Sequence, residues 1–258
     1  MKRMKILCLG DVVGPRSIDY LRKNISAFKQ KNSVDIVIAN GENASVGNGL
    51  NKSDAVDLLS SGVDVITSGN HIWQKYDIQP FLDECEYIVR PANYPFSCPG
   101  KGSTIYNYKG IRILIMNVCG VEYGENLLSP FDSVEKMLCE NEGKYDISVL
   151  DVHAETTSEK IALARYFDSR ISIIFGTHTH VQTNDAVILP GGTAYITDLG
   201  MTGPIDGILG VKSELVIKKL RSRMPVKFQV ADGEIKANGA LFTLDNNFKA
   251  QKVEAIVF

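Results

Sequence analysis

From Lys5 onward the chain repeats one phrase: a short β-branched apolar run, a turn rich in Gly, Asn and Asp, then a stretch with helical spacing. Strands that alternate with helices in this way imply an α/β fold. Strands are predicted over residues 5–10 (KILCLG, read as buried), 34–39 (VDIVIA), 63–67 (VDVIT), 146–152 and 171–175. Helices are predicted over 16–30, 53–60, 131–141 and 158–168. The first of them has Pro15 at its opening turn and Ile18, Leu21, Ile25 and Phe28 at helical spacing. The middle breaks the rhythm, because the three prolines of 91–100 (PANYPFSCPG) read as a loop and 103–117 reads as two strands joined near Tyr108-Lys109-Gly110. Roughly the last 35 residues read as all β, with turns at Ala231-Asp232-Gly233 and Asp245-Asn246-Asn247. No linker, repeat or charge block divides the chain, so a single domain over residues 1–258 is the expectation.

Composition removes several function classes. The chain carries 28 Lys+Arg against 30 Asp+Glu, a formal net charge of −2, which provides no generic attraction for nucleic acid or an anionic membrane. At 44% hydrophobic and 22% charged residues it is neither disordered nor a fibrous or disulfide-built chain. No apolar run approaches the roughly 18 residues that mark a membrane span, since the basic start Lys2, Arg3, Lys5 is followed only by Ile6 to Gly10 before Asp11. Cys8, Cys85, Cys98, Cys119 and Cys139 contain no CxxC pair, which favours reduced thiols used for packing and a cytoplasmic location.

The chemistry collects at the strand ends. Asp11-Val12-Val13-Gly14 follows the first strand, Asn40-Gly41-Glu42-Asn43-Ala44 the second and Ser68-Gly69-Asn70-His71 the third. Asp151-Val152-His153 and Gly176-Thr177-His178-Thr179-His180 close two later ones. Taken singly these are bland: a lone Asp after a strand is usually a turn or cap, Asn-Gly is turn chemistry, and one strand-end His is as readily a core residue. Together they are not, because all four histidines of the chain, His71, His153, His178 and His180, lie at these ends beside Asp, Glu and Asn. Ligands of α/β folds bind at the carboxyl ends of strands, so the expectation is a metal site there. Carboxylate, amide oxygen and imidazole without thiolate suit Mn, Fe or Zn ions, and the number of candidates exceeds what one tetrahedral ion takes, so two ions are expected. If the 178–180 segment is extended, its two histidines share a face about 6–7 Å apart, which suits one to each of two ions about 3.5–4 Å apart.

In this order the residues resemble the calcineurin-like metallophosphoesterase superfamily: Asp11, Glu42, Gly69-Asn70-His71, His153 and Gly176-Thr177-His178-Thr179-His180. The wider wording is similar to its YmdB-like bacterial phosphodiesterase branch. That wording comprises Asn40 to Ala44, Gly69 to Trp73, Arg90-Pro91-Ala92-Asn93-Tyr94-Pro95, His153 to Lys160 and Thr197 to Pro204. The match runs over about residues 5–210; no motif is recognised from Val211 onward. Two departures from the broad superfamily, Val13 in place of a histidine and Glu42 in place of a bridging Asp, are shared with the narrower branch. The usual acid after Gly-Asn-His is absent here, where Ile72 stands, which leaves His71 without an assigned orienting partner.

The resemblance implies a four-layer αββα sandwich of two mixed β-sheets flanked by helices. It implies one ion held by Asp11, Glu42, Asn43 and His180, and a second by Glu42, Asn70, His153 and His178, with Glu42 bridging and a hydroxide shared between the ions. The ions would be divalent or mixed-valence, iron or manganese first and zinc next. His71 is then left as general acid for the departing alkoxide. Asp151 is a candidate to orient a ligand histidine. Arg90, Asn93 and Tyr94, and the stretch Thr197 to Pro204, read as substrate walls or as rigid connectors. The implied activity is hydrolysis of small cyclic nucleotides, 2′,3′-cyclic NMPs foremost, by an enzyme that binds a small phosphodiester or nucleotide, no membrane and no long nucleic acid. The phosphomonoesterase, RNA nuclease and nucleotide-binding regulator readings of the same centre stay open, as does assembly into a homo-oligomer.

Overall fold

The computed structural model describes residues 3–258. Its first strands alternate side chains between two apolar environments, which is the physical basis of the layering. Along β1 (Met4–Leu9), Ile6 and Cys8 face one cluster while Leu7 and Leu9 face another, so both faces of the strand are dry. Strands β3 (Ile36–Asn40) and β4 (Val65–Thr67) run parallel to β1 in turn. The outer face of these strands is covered by α1 (Pro15–Asn32), α2 (Lys52–Ser60) and α3 (Ile78–Glu84), through Ile18, Leu21 and Ile25 of α1, Leu58 of α2 and Leu82 of α3. Local chemistry starts these helices where the sequence indicates: Pro15 opens α1, and the Asn51 side chain accepts the Asp54 N–H at 2.7 Å to cap α2.

A second sheet is built from β5 (Ser103–Tyr108) antiparallel to β6 (Ile111–Cys119), with β7 (Ile147–His153) and β8 (Ile173–Thr177) parallel to β6. Helices α4 (Pro130–Glu140) and α5 (Thr157–Tyr166) cover its outer face through Val134, Met137 and Leu163. Between the two sheets lies a third apolar cluster, in which Ile6, Ile36 and Ile38 meet Ile113, Val149, Ile173 and Phe175. The architecture is therefore the expected αββα sandwich, with each sheet mixed. The sheet edges carry short strands: β9 (Val187–Ile188) and β10 (Ala194–Ile196) extend the second sheet beside β8. On the first sheet β2 (Asp11–Val12), which continues β1 past Gly10, leaves the partner of β1 and pairs with β11 (Met201–Pro204). A side chain at Gly10 would collide with the carbonyl of Gly200, so this crossing requires glycine.

Several elements depart from the sequence reading, which placed no element at α3, β9 or β10. Residues 201–204 are a buried strand rather than a connector. Ser213–Ser222 forms a helix, α6, where no element was predicted; none of its residues is buried, so it lacks the apolar face that reveals a helix in a sequence. The C-terminal all-β reading holds for β12 (Ile235–Leu244) and β13 (Ala250–Val257), but residues 223–234 contain only an isolated bridge. Strand β12 lies between β1 and β13, antiparallel to both, so the last part of the chain supplies an interior strand of the first sheet. Among the described residues no helix is long and apolar enough to cross a membrane. Cys8 and Cys119 are buried as packing residues, whereas Cys139 is exposed.

Candidate metal centre

The carboxyl ends of β1, β3, β4, β7 and β8 meet at one end of the sandwich and carry every predicted site residue. Asp11 and Glu42 are fully buried there, and His153 is 2% exposed. Ligand-type atoms of Glu42, His153 and His178 lie within 4.8 Å of one another, a grouping able to hold a metal ion. Within it His153 Nε2 is 3.2 Å from Glu42 Oε1 and 3.0 Å from His178 Nδ1. A second grouping adjoins it: His180 Nε2 is 3.6 Å from Asp11 Oδ1, and the Asn43 amide reaches Asp11 at 3.4 Å, Glu42 at 2.9 Å and His180 at 3.4 Å. Asn70 makes no hydrogen bond to these side chains; it lines the cavity shared by His153 and His178. His71 donates its backbone N–H to Glu42 Oε2 at 3.1 Å and places Nδ1 3.2 Å from Glu42 Oε1, which supplies the orienting partner that its sequence neighbours lack.

The segment that carries His178 and His180 is not extended. Both residues sit in the left-handed region, at φ 99° and φ 63°, so the shared-face spacing expected of an extended chain does not apply. Backbone of this kind costs about 1–3 kcal/mol per residue and persists only where surrounding structure holds it. Here the holders are Asp11, whose carboxylate accepts the His178 N–H at 3.0 Å, the Leu209 carbonyl 3.0 Å from His180 Nδ1, and Asp198. Asp198 accepts both the N–H (3.3 Å) and hydroxyl (2.9 Å) of Thr179, and is itself paired at 2.7 Å with Lys160 in a setting where both side chains are at most 1% exposed.

Asp151 does not touch His153 directly. Thr177 stands between them, donating its hydroxyl to Asp151 at 2.7 Å and lying 2.9 Å from His153 Nδ1. A threonine hydroxyl has one proton; with that proton on Asp151, its oxygen accepts from His153 Nδ1–H, which leaves Nε2 facing Glu42 and His178. Thr67 and Asn40 also donate to Asp151, and Asn40 Oδ1 accepts the Glu42 N–H at 3.1 Å, so Asn40 braces two strand ends at once. Arg90 and Asn93 prove to be connectors: the Arg90 guanidinium donates to the Pro91 carbonyl at 2.8 Å and the Asn93 amide to that of Cys119 at 2.8 Å. Sequence reasoning missed Thr177, Lys160 and Asp198 as supports, although each lies inside a quoted motif; Leu209 had no signal at all, since it acts through its backbone.

The clustered carboxylates and imidazoles shift one another. Burial opposes ionisation of Glu42, yet His153 and His71 outweigh it and hold its carboxyl well below the usual range; Asp11 is lowered against burial by His180. His153 is pushed up to about 9, because Glu42, Asp11 and Asp151 outweigh the burial that disfavours its charge. Burial and the neighbouring His153 lower His178, and Asp151 is raised to about 6 chiefly by burial. The residues fit a divalent cation: oxygen and imidazole donors converge without thiolate, and a Cβ at Gly69 would fill the space against the Glu42 carboxylate and the His153 ring.

Residues 7–256 match the family described as YmdB-like protein. The chain belongs to the YmdB-like family. It is 44% identical to the 2′,3′-cyclic-nucleotide 2′-phosphodiesterase of Bacillus subtilis (strain 168), over 98% of this chain and 97% of that one. A crystal structure of a novel phosphatase from Mycoplasma pneumoniae superposes with TM-score 0.93 at 34% identity, covering 100% of this chain and 94% of that chain. A hypothetical protein from Thermus thermophilus gives the same TM-score, 0.93, at 36% identity and 99% coverage of both chains. The two-sheet fold is thus that of a YmdB-like member of the calcineurin-like metallophosphoesterases.

Proposed function

We propose that this YmdB-like chain is a metal-dependent phosphodiesterase acting on small cyclic nucleotides, 2′,3′-cyclic NMPs foremost. The observation that carries the reading is the convergence of Asp11, Glu42, Asn43, His153, His178 and His180 on one thiolate-free, largely buried cluster, in a chain 44% identical to a relative named for that activity. Asp11, Glu42, Asn43 and His180 would hold one ion and Glu42, Asn70, His153 and His178 a second, with Glu42 shared and iron or manganese favoured over zinc. When bound, such ions activate water and neutralise charge on the phosphoryl group.

The remaining work falls to the chain itself. Thr177 and Asp151 hold the His153 ring in the tautomer that presents Nε2. His71, 25% exposed and held by Glu42 through Nδ1, keeps Nε2 for the substrate and protonates the ribose oxygen as its bond to phosphorus breaks. A cavity of about 850 Å³ beside Asn43 and His180, walled by Val13, Val46, Leu209 and Phe228, supports a nucleoside-sized substrate. The net charge of −2 argues against long nucleic acid, whose binding draws on many Lys and Arg contacts to phosphate. The enzyme works as one domain in the cytoplasm.

The test is His71→Ala, assayed with 2′,3′-cAMP, a nucleoside monophosphate and short RNA in Mn²⁺. Metal content should stay at the wild-type level while 2′,3′-cAMP turnover falls about 10²–10⁴-fold. Loss of metal from the variant, or turnover equal to wild type, overturns the acid role; wild-type preference for the monoester or RNA overturns the substrate class.

A further inference from the structure

Apolar side chains from three separate segments of the chain stay exposed around one cavity. Val46 is 72% exposed, Leu209 46% and Phe228 44%, and all three line the space of about 850 Å³ that reaches the cluster at Asn43 and His180. Large apolar side chains left in water around a site mark where an apolar ligand covers them. We propose that this wall is the nucleobase subsite, with the Phe228 ring as the platform on which the base stacks. The inference deepens the phosphodiesterase reading, and rests on it for the nucleotide and on geometry for the residues.

A 2′,3′-cyclic nucleotide carries its base and its phosphorus on opposite faces of the ribose, so a phosphoryl group held at the cluster sends the base into an adjoining space. Two spaces adjoin. The one beside His153 and His178 has about 270 Å³ and is lined by Glu125 and Glu155, whereas the other falls within the roughly 300–1,000 Å³ of small-molecule pockets. The larger space has one acidic residue in its lining, Asp232, and Lys212 pairs with it at 3.1 Å. It therefore suits an uncharged ring. Phe228 supplies the one phenyl, phenol or indole group there, and among the described residues no other ring packs on it. Val230 turns its methyls toward Gly14 of the same lining, where a Cβ would meet them at 3.2 Å. Phe228 lies two residues earlier in a stretch, 225–229, with neither helix nor turn, so alternation puts both side chains on one side. In the 45–48 loop Gly47 borders open space, since a Cβ there would meet nothing within 4 Å. Asn48 and Gln229 complete the lining with side-chain amides that bond nothing else among the described residues, and each offers a donor and an acceptor to a base edge. The Val211–Val230 bridge returns the chain from α6 to the site, so the segment without a recognised motif brings the platform.

The experiment uses the Mn²⁺-loaded protein and reads adenosine affinity by equilibrium dialysis beside steady-state kinetics on 2′,3′-cAMP and on glycerol 1,2-cyclic phosphate, a cyclic diester without a base. In Phe228→Ala the adenosine affinity should fall, and KM for 2′,3′-cAMP should rise, about 5–100-fold, the weight of one base stacked on an aromatic ring. Hydrolysis of glycerol 1,2-cyclic phosphate should not follow that loss. Phe228→Tyr, which keeps the ring, should hold both values near wild type. Phe96→Ala, which removes an exposed ring that lines neither cavity, should alter none of the three. Unaltered adenosine affinity in Phe228→Ala, an equal loss on the base-free diester, or a wild type that binds no adenosine each overturns the proposal. So does a wild-type oligomer that Phe228→Ala splits, read by light scattering, since the wall would then be covered by a second copy of the chain. A wild type that binds adenosine through Phe228 but hydrolyses no diester overturns the activity reading alone, and the dialysis arm still decides the subsite.

Discussion

Thr177 decides which nitrogen of His153 faces the cluster, and it does so with a single hydroxyl proton committed to Asp151. Thr177→Val keeps the shape and removes that relay. Its metal affinity, measured by titrating the apo protein with Mn²⁺, should fall about 10–100-fold, the usual cost of losing an outer partner of a ligand, with the far-UV spectrum unchanged. The identities of the clustered residues were legible in the sequence, because four histidines placed only at strand ends have no packing explanation. Their supports were not. Thr177 reads as spacing between His178 and Gly176, and its role exists only because β7 and β8 run parallel with His153 opposite Thr177 in register. The left-handed backbone at His178 and His180 was equally invisible, since it is imposed by Asp11, Leu209 and Asp198 from other parts of the chain.

At the level of elements, α5 and the loop after β10 are locked together by the buried pair Lys160 and Asp198. Removing one partner strands a charge in the interior, which costs about 3–5 kcal/mol. Lys160→Met should accordingly lower the thermal midpoint by roughly 6–20 °C, taking about 2–4 °C per kcal/mol for a chain of this size. Because Asp198 also holds the Thr179 N–H and hydroxyl, the variant should bind Mn²⁺ more weakly, as read by equilibrium titration below the midpoint. The helices α1, α2, α4 and α5 and the central strands were legible from periodicity, with Pro15 at the opening turn of α1, whereas the seven-residue α3 was not. The short edge strands and α6 were not: β9 has two residues, β10 three, and α6 buries nothing, so none carries a period long enough to read.

Across the whole molecule, three apolar clusters hold the layers together without help from the site residues. Chelation should therefore strip metal while leaving the secondary structure intact, and Tm should drop and then recover with added Mn²⁺ by an amount that grows with its concentration. Circular dichroism before and after chelator checks this; unfolding on metal loss would make the ions structural. What the sequence determined alone was the alternation of buried strands and helices, their approximate limits and the set of oxygen and nitrogen donors at their ends. Those are local properties, written in residue type and spacing. The tertiary structure decided which ends meet, that Glu42 stands between His71 and His153, and that residues from Val211 onward supply β12 to the interior of the first sheet beside β1. Such facts depend on pairings between residues far apart in the chain, and no local pattern encodes the partner of a side chain that only the packed sheets bring within reach.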